Sequence, residues 1–261
     1  MYWFFFALSS AIGKTLADLQ TKTLNYHLLA LAFYRYFVAA LIAGCIAFFT
    51  QRPDWSLPLL GIIALAIIIE LGAFLLMRHG LRRGEFSRLA PILGFSPVLT
   101  ALFGLFVGQY LTAASWTGIV LITLGLLILN HLRWTDGALI MLIVTLLFSI
   151  NPLIQQIGIT FASISWFMFL VFASISIIVF FMKRPPFAFA LFSYGALFSL
   201  EIFGQFIALS LSPAALVMAI KRLSVVFSSL AGIFILHEKN HLARKLFSSA
   251  IIVAGSILLV L

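Results

Sequence analysis

The segment 84-GEFSRLAPILGFSPVLTALFG-104 lies without a gap over 212-SPAALVMAIKRLSVVFSSLAG-232. Ser96 then meets Ser224, Leu102 meets Leu230 and Gly104 meets Gly232. Each segment is mostly apolar and about 20 residues long, which suffices to cross the hydrocarbon core of a bilayer as a helix rising about 1.5 Å per residue. The chain has 261 residues, so one copy falls in each half. A spanning element that recurs in this way predicts a membrane protein built from two related halves.

Working outward, apolar runs of spanning length lie near 2–20, 26–49, 57–78, 85–107 and 113–130, and again near 134–155, 162–182, 188–210, 213–235 and 243–261. The breaks carry charge and turn signals, as at Gln51-Arg52-Pro53-Asp54, Arg82-Arg83-Gly84, Lys183-Arg184-Pro185-Pro186 and Ser212-Pro213. All five tryptophans, Trp3, Trp55, Trp116, Trp134 and Trp166, fall at or near a run's start, where an amphipathic ring sits at headgroup depth. The expected fold is all-α: ten transmembrane helices in two five-helix repeats, 1–130 and 131–261. Because five is odd, the second repeat enters the membrane upside down, a common plan for secondary transporters.

Composition points the same way. The chain is 64% apolar and 9% charged, with a mean hydropathy of +1.20, whereas a soluble domain is about half apolar and a quarter charged. A chain this short could not hide so much apolar surface from water, so lipid is the expected solvent. Tyr2–Ala7 lacks the basic start of a cleaved leader and reads as the beginning of the first span. Cys45 is the single cysteine, so no intrachain disulfide forms. The net charge of +9 resides mostly in short connections, which fits lipid headgroups and topology better than nucleic acid.

Two stretches carry a family resemblance. Ala219-Ile-Lys-Arg-Leu-Ser-Val-Val-Phe227, continuing to Gly232, Glu238 and Gly255, resembles the last two helices of an EamA-type repeat of the drug/metabolite transporter superfamily. Leu89-Ala-Pro91-Ile-Leu-Gly-Phe-Ser96-Pro97-Val-Leu-Thr100, then Gly118 and Gly125, is the matching pair in the first half. The resemblance implies two inverted five-helix repeats around a central cavity and transport of small metabolites. It departs from this pattern after the fourth helix, where Gln109-Tyr110 stands in place of the usual acid whose counterpart, Glu238, is kept.

Six ionisable residues fall well inside the runs: Lys14, Arg35, Glu70, Glu201, Lys221 and Arg222. Each costs at least ~2.5–3.5 kcal/mol at mid-helix, so each should face the protein interior or a wet cavity. Counted along the helices, the two groups approach the midplane from opposite faces. Lys221, Arg222, Arg35 and Lys14 are thus candidates to hold an anionic group on a substrate. An arginine fork meets a carboxylate or phosphate bidentately. Glu70 or Glu201 is a candidate to carry a coupling proton, because desolvation favours the neutral acid. The alternative is structural pairing of Glu201 with Lys221 or Arg222, and of Glu70 with Lys14 or Arg35. In the resembled family the first helix of each repeat borders the cavity, which adds Asn151 and Gln155 to the candidate binding residues.

Gly104-x-x-x-Gly108 and Ser228-x-x-x-Gly232 read as close helix packing. His237-Glu238-Lys239-Asn240-His241 matches a zinc-protease pattern, but it sits in a short connection without an evident third ligand, so no metal is expected. No cofactor and no enzymatic activity are expected, and no phosphate-binding loop for ATP is present. The predicted protein is a multi-pass transporter of the cell's inner membrane, a monomer or homodimer that moves a small polar or anionic metabolite by alternating access. The alternative is a flippase for a lipid-linked metabolite. Basic residues cluster in the odd-numbered connections, which places those in the cytoplasm and both termini outside.

Overall fold

Within the described residues, the apolar runs are predominantly helical. The computed structural model describes residues 2–24, 26–83, 92–130, 138–234 and 242–260. The helices are α1 (Tyr2–Thr23), α2 (Leu28–Phe48), α3 (Leu57–Arg83), α4 (Ser96–Phe106), α5 (Ala113–Asn130), α6 (Ala138–Phe161), α7 (Ile164–Met182), α8 (Phe189–Leu211), α9 (Ala214–Lys221), α10 (Leu223–Phe234) and α11 (Leu242–Leu258). No strand occurs among the described residues. Among the described residues, six stretches are long and apolar enough to cross a membrane: Leu28–Phe48, Leu57–Met77, Ala138–Phe161, Ile164–Met182, Phe189–Leu211 and Ala214–Ala231. Ser96–Phe106 and Ala113–Leu129 are shorter apolar helices.

The outside of this bundle is as greasy as its core. Phe106 is 87% exposed and Phe181 81%, while Tyr36, Phe172, Phe198 and Glu201 are buried. Only a lipid solvent makes that distribution favourable. Trp3, Trp116 and Trp166 sit in or beside the first turns of α1, α5 and α7, and Trp55 just precedes α3. Trp134 lies outside the described residues.

Packing pairs α1 with α8, α3 with α6, α2 with α7 and α8, α5 with α11, and α4 with α9. One core gathers Tyr36, Phe167, Phe172, Phe198 and Phe206 from α2, α7 and α8. A second joins Ile119 and Ile122 of α5, Val217 and Ile220 of α9, and Ile252 of α11.

Two spans are not the continuous helices expected. The segment read as 213–235 is broken into α9 and α10 at Arg222, whose N–H donates to the Ala219 carbonyl at 3.0 Å in a tighter turn. In the first half a turn at Gly94–Phe95 precedes α4, with the Phe95 N–H on the Ile92 carbonyl at 3.2 Å. In the overlay of the halves Gly94 falls on Arg222, so the breaks coincide. Pro97 has no N–H to offer the Leu93 carbonyl four residues back. That carbonyl instead accepts from the Arg222 guanidinium at 3.2 Å, and the Ser96 hydroxyl accepts from it too. In a medium without water, each interruption must be satisfied by such a partner.

The Gly104-x-x-x-Gly108 pair is also corrected. Gly108 has φ +78, which suits glycine. Its N–H donates to the Leu105 carbonyl at 3.2 Å, and the Gln109 N–H to the Gly104 carbonyl at 2.9 Å. That is a Schellman cap ending α4, not a helix-packing seam.

Candidate functional site

Helix α8 places Tyr194, Phe198, Glu201 and Gln205 at i, i+4, i+7 and i+11, hence on one face. All four are buried. Helix α6 places Asn151 and Gln155 one turn apart, and both are buried as well. These faces hold two hydrogen-bonded groups.

In the first, the Glu70 carboxylate of α3 accepts from the Tyr36 hydroxyl at 2.8 Å and from the Asn151 amide at 2.5 Å. In the second, Lys221 lies 2.6 Å from Glu201 and donates to Gln205 Oε1 at 2.5 Å. The Gln205 amide in turn donates to Gln155 Oε1 at 2.7 Å. Asn151 and Gln155 belong to the same helix, so α6 links the two groups into one polar layer.

Arg35 stands between them. Its guanidinium lies 3.9 Å from the Phe198 ring centroid and 5.6 Å from that of Tyr36. Tyr194, Glu201 and Glu70 are within electrostatic reach. Among the described residues no carboxylate comes within ion-pair distance of Arg35, and its Nε is buried without a hydrogen-bond partner. Aromatic faces offset part of the cost of holding this cation away from water. Its in-plane donors stay available to a planar or tetrahedral anion.

The predicted residues are therefore sorted by the tertiary structure. Lys221 pairs with Glu201, as in the pairing alternative. Lys14 pairs with neither Glu70 nor Glu201 but with Asp18 at 3.2 Å, one turn along α1. Glu70 is held by neutral donors instead of Lys14 or Arg35. Arg222 lies apart from the layer, on the α4 break. Asp18 changes the tally of charges inside the runs from four bases against two acids to four against three. The i, i+4 spacing of Lys14 and Asp18 was a legible signal. So was the α8 face carrying Tyr194, Phe198 and Gln205, none of which the sequence reading singled out.

Exposure of the ionisable side chains rises towards the C-terminal half of α1. Lys14 and Asp18 side chains are 32% and 52% exposed, against 12% and 6% for Lys221 and Glu201. The histidine pattern at 237–241 lies outside the described residues.

Comparison with known proteins sets this geometry in context. The profile of the EamA-like transporter family matches residues 1–131. A solved structure described only as "Crystal structure of protein" superposes over 99% of this chain and 96% of its own, with a TM-score of 0.78 at 15% sequence identity. That likeness establishes a shared fold over the full length. No curated protein sequence matches the chain.

Proposed function

This chain belongs to the EamA-like transporter family of the drug/metabolite transporter superfamily, and from that premise we propose that it moves a small polar or anionic metabolite by alternating access around the Arg35 layer. The observation that carries the reading is the Arg35 guanidinium, its Nε buried, set against aromatic rings and, among the described residues, without a carboxylate at ion-pair distance. A charge that expensive to bury, kept free of an ionic partner, suits a ligand that arrives with its own anion. Lys14, Lys221, Asn151 and Gln155 are the candidate secondary contacts, and Glu70 or Glu201 is the candidate carrier of a coupling proton.

The finer architecture is part of the proposal: ten spans as two inverted repeats, 1–130 and 131–261. Exchanging the halves turns the α1–α8 pairing into α6–α3, and both pairings occur. The Thr15 hydroxyl of α1 donates to the Ser224 carbonyl at 3.2 Å, and that of Thr100 in α4 to the Ser149 carbonyl of α6 at 3.1 Å. These crossings are also exchanged by the repeat symmetry, as are the two helix breaks. Discontinuous helices at the midplane are where transporters of this plan bind substrates.

Ligands of the native state raise its apparent stability. In a thermal-shift screen over metabolite classes, hits are expected among anions, followed by their uptake into proteoliposomes. Arg35→Gln should weaken the best hit about 10–100-fold, the value of a lost charge-assisted hydrogen bond. Arg35→Lys keeps the charge but not the flat fork and should rescue only partly. Parental affinity in Arg35→Gln would end this reading.

For orientation, the charge bias of the connections supports termini outside the cytoplasm, in the inner membrane of the cell. A phosphatase fused after Leu261 and active only outside should then be active. An inactive phosphatase with an active cytoplasmic reporter reverses the assignment.

A further inference from the structure

The end of the bundle carrying 107–112 and 212–213 is tied shut by two side chains. Gln109 supplies the last N–H of the Schellman cap of α4, and its side chain lies beside Gly104. Its amide does two things at once. The Nε2 donates to Gln156 Oε1 of α6 at 2.7 Å, and the Oε1 accepts the Ala214 N–H at 3.1 Å. That N–H opens α9, whose N-cap, Pro213, supplies no side-chain bond. Gln156 then donates to the Leu209 carbonyl at 2.8 Å and the Ser212 carbonyl at 3.1 Å. Two amides thus join the α4–α5 connection, α6, the last turn of α8 and the first of α9.

The position matters because Gln155, next in sequence, belongs to the Arg35 layer, while Gln156 faces the tie. It matters also because Gln109 stands where the resembled family carries an acid. A carboxylate accepts hydrogen bonds but donates none, so it could hold the α9 N–H but not the Gln156 oxygen.

We infer that Gln109 and Gln156 form a latch that closes this end of the bundle, with Gln109 a positioning residue that holds the protein in a state accessible from the end of Lys14 and Asp18. The inference rests on the alternating-access reading above, and its test needs no knowledge of the substrate.

The reporter is Ala208→Cys in a Cys45→Ala background, a fully buried position on α8 between Gln205 of the layer and Leu209 of the latch. In sealed vesicles of each orientation, a membrane-impermeant maleimide added at the latch end should label it slowly. Gln109→Ala, Gln109→Glu or Gln156→Ala should each speed that labelling roughly tenfold, as expected for losing one or two hydrogen bonds. An unchanged rate overturns the latch. Lys14→Cys, labelled from the opposite end, separates the two claims. If cutting the latch speeds Ala208→Cys and slows Lys14→Cys, both stand. If the first speeds and the second is unaffected, the latch stands and alternating access fails. A guard against misfolding is the behaviour of each variant in mild detergent: the faster labelling should occur in proteins that keep the parental monodispersity and thermal midpoint, and faster labelling only in variants that have lost them also overturns the latch.

Discussion

Gly118→Leu should abolish accumulation of folded protein. Helices α5 and α11 meet backbone to backbone at Gly118 and Gly255. A Cβ on Gly118 would stand 2.6 Å from the Gly255 carbonyl oxygen, and one on Gly255 would stand 2.7 Å from the Gly118 carbonyl oxygen. Neither oxygen can move without moving its helix. The contact is reciprocal, so Gly255→Leu should fail equally. Overpacking that rotamer changes cannot relieve costs about 3 kcal/mol or more, a large part of a typical margin of stability. Between membrane helices close approach is itself the main attraction, because lipid tails are as apolar as the side chains they replace. Gly61→Leu and Gly72→Leu are the controls, since a Cβ at either meets nothing within 4 Å. Monodisperse yield and thermal midpoint in mild detergent read the outcome. A Gly118→Leu protein as stable as the Gly61→Leu control would mean that α5 and α11 do not meet this way.

The second large effect is expected at Glu201. Glu201→Gln leaves the Lys221 ammonium in a site where its side chain is only 12% exposed, with Gln205 Oε1 as its remaining strong acceptor. Removing one partner of a buried pair costs about 3–5 kcal/mol, chiefly through the charge left behind. The companion change Lys221→Met removes that charge, so the double variant should regain most of the loss. Stability measured for the four proteins of this cycle gives the coupling directly. If Glu201→Gln alone unfolds at the parental temperature, Lys221 has another counter-charge and the described pair is incidental. Transport by the double variant should still fail, because the polar layer has lost its α9 contact.

Much of this molecule was readable in advance because lipid simplifies the rules. Most described helices lie within a few residues of the apolar runs, since a helix is the only way a single segment can satisfy its backbone in hydrocarbon. Glu201 and Lys221 were legible as costly residues facing inward. Their partnership was one of several options, because charges on different helices carry no mutual address in the sequence. Gln109 was legible as a departure from the family pattern, but its function was not, since it depends on Gln156 being brought 2.7 Å away by the packing of α6.

Composition and periodicity, then, determined by themselves that this chain is a membrane-embedded helical protein and roughly where its helices run. Burial in lipid is a property of each segment taken alone. Only the tertiary structure decided that Arg222 satisfies the Leu93 carbonyl freed by Pro97, and that Arg35 is left facing aromatic rings with no acid at ion-pair distance among the described residues. Those outcomes depend on distances between helices of about 3 Å precision, and the order of residues along a span does not contain them.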